Sequence, residues 1–165
     1  MSKSEDALKA AFAGESQGNC MYLAFAMEAD MEGFPQVARL FRAMAEAEKV
    51  HAINFLMAIK GIKTTRDNLK GAIGGETYAS TSIYPGMIDT AKTEGNKDAE
   101  ISFWRANEVE KVHAMLCQGL MDTFSKGQEN YSYYVCPVCG YTVGKDVPDL
   151  CPVCATKGKL FKKID

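Results

Sequence analysis

Glu46-Ala47-Glu48-Lys49-Val50-His51-Ala52 and Glu108-Val109-Glu110-Lys111-Val112-His113-Ala114 agree at six of seven positions and between them hold the only two histidines of the chain. The likeness extends outward. Gly14-Glu15-Ser16 is echoed by Gly75-Glu76-Thr77, and Glu32-Gly33 by Glu94-Gly95. Glu15 precedes Glu48 by 33 residues and Glu76 precedes Glu110 by 34. A repeat on this scale marks two copies of one supersecondary unit, here a helical hairpin.

The stretch around both copies is rich in Ala, Met, Leu, Glu and Lys. It is interrupted at Glu32-Gly33-Phe34-Pro35, Lys60-Gly61-Ile62-Lys63-Thr64 and Glu94-Gly95-Asn96-Lys97, which are helix stop signals. Four helices are expected, over residues 4–31, 35–60, 67–94 and 97–126. After Gly127-Gln128-Glu129-Asn130 the character changes to Tyr131-Ser132-Tyr133-Tyr134-Val135 and then to paired cysteines and prolines, which predicts short strands and turns. The expected architecture is mainly α: a four-helix bundle over 1–130 followed by a small metal-stabilised β/turn domain over 131–165.

The 165 residues, 47% hydrophobic and 24% charged, suit a globular protein with one ordinary domain and a small module. A net charge of −2 gives no general attraction to nucleic acid or to an acidic membrane. The lysines at 157, 159, 162 and 163 read as a solvated tail. The longest mainly apolar runs, Cys20 to Met27 and Ala52 to Ile59, the latter broken by Asn54, fall far short of the ~20 residues of a membrane span. Met1-Ser2-Lys3-Ser4-Glu5-Asp6 lacks the apolar stretch of a secretory leader, so a reducing, cytoplasmic location is expected.

Hairpin arithmetic brings the acidic residues together. At 1.5 Å per residue, Glu15 and Glu48 come within about one helical turn of the same height, as do Glu76 and Glu110. Glu-x-x-His places both side chains of the motif on one helix face. Four glutamates and two histidines are therefore expected to converge inside a bundle. Taking each carboxylate into a dry interior costs of order 20 kcal/mol before compensation, whereas two divalent cations neutralise the set, and imidazole with carboxylate suits iron or manganese. One Glu from each of two helices and Glu-x-x-His from each of two others is the ligand set of ferritin-like di-iron bundles.

Tyr22, seven residues after Glu15, and Tyr84, eight after Glu76, return to the ligand face, either as hydrogen-bond partners of the carboxylates or as core tyrosines. Glu46 and Glu108 are expected to be exposed. Met21, Met27, Met44, Met57 and Met115 read as core filler, Cys20 and Cys117 as buried thiols, and Gly14 and Gly75 as points where backbones approach closely.

Cys136-Pro-Val-Cys139 and Cys151-Pro-Val-Cys154 offer four thiolates from two tight turns, a set for tetrahedral zinc or iron that ligand type alone does not decide between. About 35 residues form too small a core, so the metal would itself supply folding free energy. Gly140 suits the left-handed turn after its cysteine pair, and Ala155, at the matching place, would be modestly strained.

The whole chain resembles the rubrerythrins, ferritin-like di-iron bundles with a rubredoxin-like tail. The resemblance rests on both Glu-x-x-His repeats, Gly75-Glu76-Thr77-Tyr78, Tyr84-Pro85, and the Cys-Pro-Val-Cys knuckles ending at Phe161. It implies two non-haem irons, with Glu48 and Glu110 bridging, Glu15 and Glu76 terminal, and His51 and His113 completing the spheres. It also implies iron rather than zinc at Cys136, Cys139, Cys151 and Cys154. The implied activity is a peroxidase that reduces hydrogen peroxide to water, with electrons from a rubredoxin or flavoprotein reductase and ultimately NADH. The implied assembly is a cytoplasmic homodimer in which one tail approaches its neighbour's bundle. One position departs from the family pattern: a second glutamate is usual three residues after the third-helix ligand, and here it is Ala79. That leaves a more symmetric site and favours, as the alternative, a di-iron oxidase or ferroxidase using dioxygen. A non-enzymatic metal-binding protein is the remaining alternative.

Overall fold

The computed structural model describes residues 2–127 and 129–165. Met1 and Gln128, which fall within the leader reading and the expected boundary, lie outside the described residues. The order is α1 (Lys3–Met31), α2 (Pro35–Ala58), α3 (Thr65–Tyr78), a π-helical segment (Ala79–Ile83), α4 (Tyr84–Glu94), α5 (Lys97–Thr123), β1 (Tyr133–Val135), β2 (Thr142–Gly144), a 3-10 turn (Gly158–Leu160) and β3 (Lys162–Ile164). The chain packs as two compact units that divide between Lys63 and Thr64. The fold class is that of a ferritin-like bundle sequence with a small C-terminal sheet bearing the cysteines.

The first unit is the α1–α2 hairpin. The Ser2 hydroxyl accepts from the Glu5 amide and starts α1, and Pro35 occupies the first turn of α2. Between them Gly33 takes φ +81°, the left-handed conformation that ends α1. The two helices close on a run of small residues, Ala26 and Ala29 against Ala38, Ala45 and Ala52, all buried. Register is fixed by the Asn19 side-chain amide, which donates to the Ala45 carbonyl at 2.7 Å, and by the Arg42–Asp30 ion pair at 2.7 Å. Tyr22, Phe25 and Phe41 form an aromatic cluster, with Tyr22 stacked on Phe41.

The second unit holds α3 to α5 and the cysteine domain. Thr64 caps α3 and Asn96 caps α5 through their side-chain oxygens. The expected third helix, 67–94, is α3, the π segment and α4 in succession. Ser80 donates to the Glu76 carbonyl at 2.8 Å inside this segment. The π turn absorbs one residue. This explains why the second copy of the repeat is one residue longer than the first, and why Tyr84 sits eight residues from Glu76 where Tyr22 sits seven from Glu15.

The C-terminal sheet has the order β2-β1-β3, antiparallel throughout, with Tyr134 opposite Val143 and Lys163. Lys162 and Lys163 therefore belong to a paired strand, their side chains exposed, and not to a loose tail. Three further expectations fail. Met21, Met27, Met57 and Met115 are exposed, Met27 and Met115 to 67% and 65%, because the buried helix positions are taken mostly by alanines. Cys20 is exposed. Nothing approaches within 4 Å of a side-chain carbon built at Gly14 or Gly75; it is Gly18 that has the Glu48 side chain at 3.5 Å.

Candidate metal centres

Each unit carries its own ligand triad. Glu15, Glu48 and His51 in the first, and Glu76, Glu110 and His113 in the second, present donor atoms that all lie within 4.8 Å of one another. His51 Nδ1 is 3.2 Å from Glu48 and 3.9 Å from Glu15; His113 Nδ1 is 2.9 Å from Glu110 and 3.8 Å from Glu76. The two triads are near copies of each other, as the repeat requires. They are not dry, however. Their glutamate side chains are 19–31% exposed and His51 is 53% exposed, so within each unit water still reaches the charges. The full burial cost expected from the sequence is not met inside either unit.

Charge is nevertheless held in pairs. The hydrogen bond it shares with Glu48 raises Glu15 above the ordinary carboxyl range, while Glu48 is lowered by the same bond and by His51. Burial, and then the Glu110 partner, raises Glu76. A divalent cation placed between the two carboxylates of either pair would offset their mutual repulsion.

The second triad shows where such a cation belongs. The Thr142 hydroxyl donates to the Gly140 carbonyl at 3.0 Å, so its oxygen accepts from His113 Nε2–H at 3.1 Å. That commits the ring hydrogen to Nε2 in the neutral imidazole and leaves Nδ1 bare, facing two carboxylates. Three acceptors converging at 2.9–3.8 Å form a ligand set for a hard or borderline divalent metal, and the residues fit an iron or manganese ion.

Tyr84 has its phenol raised by burial and by the nearby Glu110 and Glu76 charges, which places it beside that triad. The Tyr22 ring and the Glu48 side chain both lie over Gly18. Glu46 and Glu108 turn away and pair with Lys49 and Lys111, at 2.5 and 2.6 Å. Two residues went unremarked in the sequence: Thr142, and Asn107, one turn before Glu110, buried with its Oδ1 unpartnered among the described residues. Neither has a motif to mark it, although Asn107 lies on the Glu110 face by its i, i+3 spacing.

The four cysteines converge as predicted. Cys136 and Cys154 sulfurs are 3.6 Å apart and those of Cys139 and Cys151 3.5 Å. These distances are far beyond a disulfide bond and close to the ~3.8 Å between sulfurs bound at ~2.3 Å to one tetrahedral metal. Cys136 and Cys151 are buried. Burial pushes the Cys139 and Cys151 thiols up. At Cys154 burial is outweighed by the Thr156 hydroxyl and amide and the neighbouring thiols, which bring it down to about 6. The two knuckles share one geometry, with Gly140 N–H donating to Cys136 O and Ala155 N–H to Cys151 O. Both residues are left-handed, at φ +82° and +58°. The glycine accepts this freely and the alanine under strain.

The rubrerythrin family model matches residues 6–121, and the rubrerythrin rubredoxin-like domain matches 134–162. This chain belongs to the rubrerythrin family. It is 34% identical to Rubrerythrin-2 of Clostridium acetobutylicum, covering 95% of this chain and 94% of that one. It is 35% identical to the rubrerythrin of Porphyromonas gingivalis, covering 99% and 90%. That second alignment runs over 183 positions against the 165 residues here, so at least 18 positions of the relative have no counterpart in this chain. Among solved structures, fully reduced, all-ferrous nigerythrin matches 99% of this chain and 88% of its own, at 30% identity and a TM-score of 0.59. Among the described residues, no helix is long and apolar enough to cross a membrane.

Proposed function

We propose that this rubrerythrin-family protein is a di-iron peroxidase that reduces hydrogen peroxide to water, its electrons drawn through the iron–tetrathiolate tail. The observation that carries the reading is the link from His113 Nε2 through the Thr142 hydroxyl to the Gly140 carbonyl. Gly140 directly follows Cys139, so a ligand of the metal pair and a ligand of a one-electron centre are joined by two hydrogen bonds. On this reading residues 1–130 form the di-iron part and 131–165 the electron-delivering part.

Glu15, Glu48, His51, Glu76, Glu110 and His113 would hold the metal pair, and Cys136, Cys139, Cys151 and Cys154 would hold the single iron. When reduced and bound, the iron pair supplies the two electrons that, with two protons, convert one peroxide to two waters. Tyr84, kept protonated by burial and by two flanking carboxylates, presents an O–H where a developing hydroxide needs a hydrogen-bond donor. Tyr22 is the corresponding phenol of the first half. Thr142 fixes the orientation and tautomer of His113. The donor is a rubredoxin or flavoprotein reductase fed by NADH, and the compartment is the cytoplasm.

The near identity of the two triads, together with Ala79 in place of an additional carboxylate, favours a second reading as a dioxygen-dependent oxidase or ferroxidase. Stopped-flow oxidation of the anaerobically reduced protein separates the two. Peroxide consuming the diferrous state faster than dioxygen supports the peroxidase, and the reverse order rejects it.

A further inference from the structure

We infer that Tyr133 is a reserve one-electron donor, giving an electron toward the second triad and its proton through Tyr131 to the surface when peroxide arrives before the metal pair is fully reduced. The inference deepens the peroxidase reading and rests on it.

Position comes first. In the β1–β2 ladder the rung Tyr133–Gly144 lies two residues beyond the rung Val135–Thr142, and Thr142 is bonded to His113. The Tyr133 backbone therefore stands about 7 Å along the strands from that bond. Cys117 stands one turn, about 6 Å, beyond His113 on the same face of α5. The thiol of Cys117 is raised by burial and then by the Glu76 charge, and Cys117 in turn is among the groups that raise Tyr133. Cys117 thus neighbours both the triad and the tyrosine.

The tyrosines are built as a pair. The Tyr131 and Tyr133 hydroxyl oxygens are 3.2 Å apart and the ring centroids 5.2 Å. Both rings lie over Gly144, where a side-chain carbon would meet Tyr131 at 2.5 Å and Tyr133 at 3.4 Å, so the absence of a side chain on this rung lets them close together. Tyr131 borders a surface groove of about 410 Å³ that it shares with Met115, Leu116, Glu129 and Lys145. Lys145 Nζ stands 5.1 Å from the Tyr131 ring centroid and pairs with Glu129. The inner phenol is held protonated, pushed up to about 12 by burial and by the Tyr131 hydrogen bond, so it gives up an electron only together with its proton.

The electron count gives such a donor its use. A tetrathiolate iron passes single electrons, whereas hydrogen peroxide needs two electrons and two protons to become two waters. With one electron at the metal pair, Tyr133 supplies the second. Its O–H bond breaks, the electron goes to peroxide, and the proton passes to the Tyr131 oxygen as Tyr131 releases its own to water in the groove. Net of that release, one proton is drawn from solvent. Tyr133 is left as a neutral phenoxyl, which the next electron from the tail and a proton from the groove return to the phenol.

Freeze-quench electron paramagnetic resonance tests this. Iron-loaded full-length protein is titrated with dithionite to one electron per metal pair, mixed with hydrogen peroxide and frozen. Wild type should show a phenoxyl signal that narrows when the protein is grown on ring-deuterated tyrosine, and fully reduced wild type should consume peroxide with little or none. Tyr133→Phe, checked for its thiolate-iron visible band and iron content, should lose the signal. Gly144→Ala, which keeps both phenols but displaces Tyr131, should weaken it. A signal that survives Tyr133→Phe overturns the inference, as does one-electron wild-type protein that consumes peroxide without a radical. A signal of wild-type strength in Gly144→Ala overturns the proton route through Tyr131. Fully reduced wild type that peroxide does not oxidise is a separate result, which rejects the peroxidase reading and the reserve donor with it.

Discussion

Thr142 Oγ1 stands 3.1 Å from His113 Nε2 and passes its own hydrogen to the Gly140 carbonyl, so one hydroxyl orients the imidazole of a proposed metal ligand and connects it to the cysteine knuckle. Replacing Thr142 with Val removes both bonds while keeping the side-chain shape. Electron delivery from the tetrathiolate iron to the bundle should slow by about 10- to 100-fold, with the thiolate-iron visible band unchanged. Thr142→Ser should restore the rate. Rapid-mixing absorbance on the prereduced protein reads both variants.

The glutamates of each motif should separate sharply by position. Glu46 is exposed and paired with Lys49, so Glu46→Gln should leave iron content intact and shift stability by no more than about 0.5 kcal/mol. Glu48→Gln removes a carboxylate facing both His51 and Glu15, and the isolated protein should lose bundle iron while keeping its tetrathiolate iron. Elemental analysis beside a thermal melt is sufficient.

Glu76 yields a prediction whose sign depends on the metal. Its folded pKa is raised by burial and by Glu110, so its contribution to stability is present below the unfolded pKa and is lost as pH rises through the folded one. In metal-free protein Glu76→Gln should therefore raise the melting temperature at pH 7 relative to wild type and change it little at pH 4. In iron-loaded protein the same substitution should lower it. A fall in the melting temperature of the metal-free variant at pH 7 would contradict the pairing described.

The cysteines should also differ once the metal is removed. Cys154 is held down to about 6 by Thr156 and the neighbouring thiols, whereas burial pushes Cys139 up. At pH 7 the metal-free protein should alkylate first at Cys154 and last at Cys139, as peptide mapping after brief iodoacetamide exposure would show. Ala155→Gly relieves the left-handed strain at φ +58° and should stabilise the tail by about 1 kcal/mol, read as slower loss of tetrathiolate iron to a chelator.

Much of this molecule is legible in its sequence because repeat and ligand chemistry constrain each other. Helix boundaries follow from Gly33, Pro35 and Gly95, the triads follow from hairpin arithmetic, and the tetrathiolate follows from two Cys-x-x-Cys pairs. The π segment could have been read from the 33- and 34-residue intervals, since an extra residue inside an aligned helical repeat must be absorbed somewhere. Met27 and Met115 misled because apolar character does not say which surface will cover a residue. Thr142 was invisible because the contact to His113 bridges 29 positions and no local pattern marks it.

The account depends on a metal pair held by four glutamates and two histidines beside a single thiolate-bound iron. An anaerobic visible spectrum with metal analysis on protein purified under reducing conditions tests it most directly. The prediction is a red thiolate-iron chromophore and three irons for each chain. Colourless protein with zinc at the cysteines and nothing bound at Glu15, Glu48, His51, Glu76, Glu110 and His113 would contradict it.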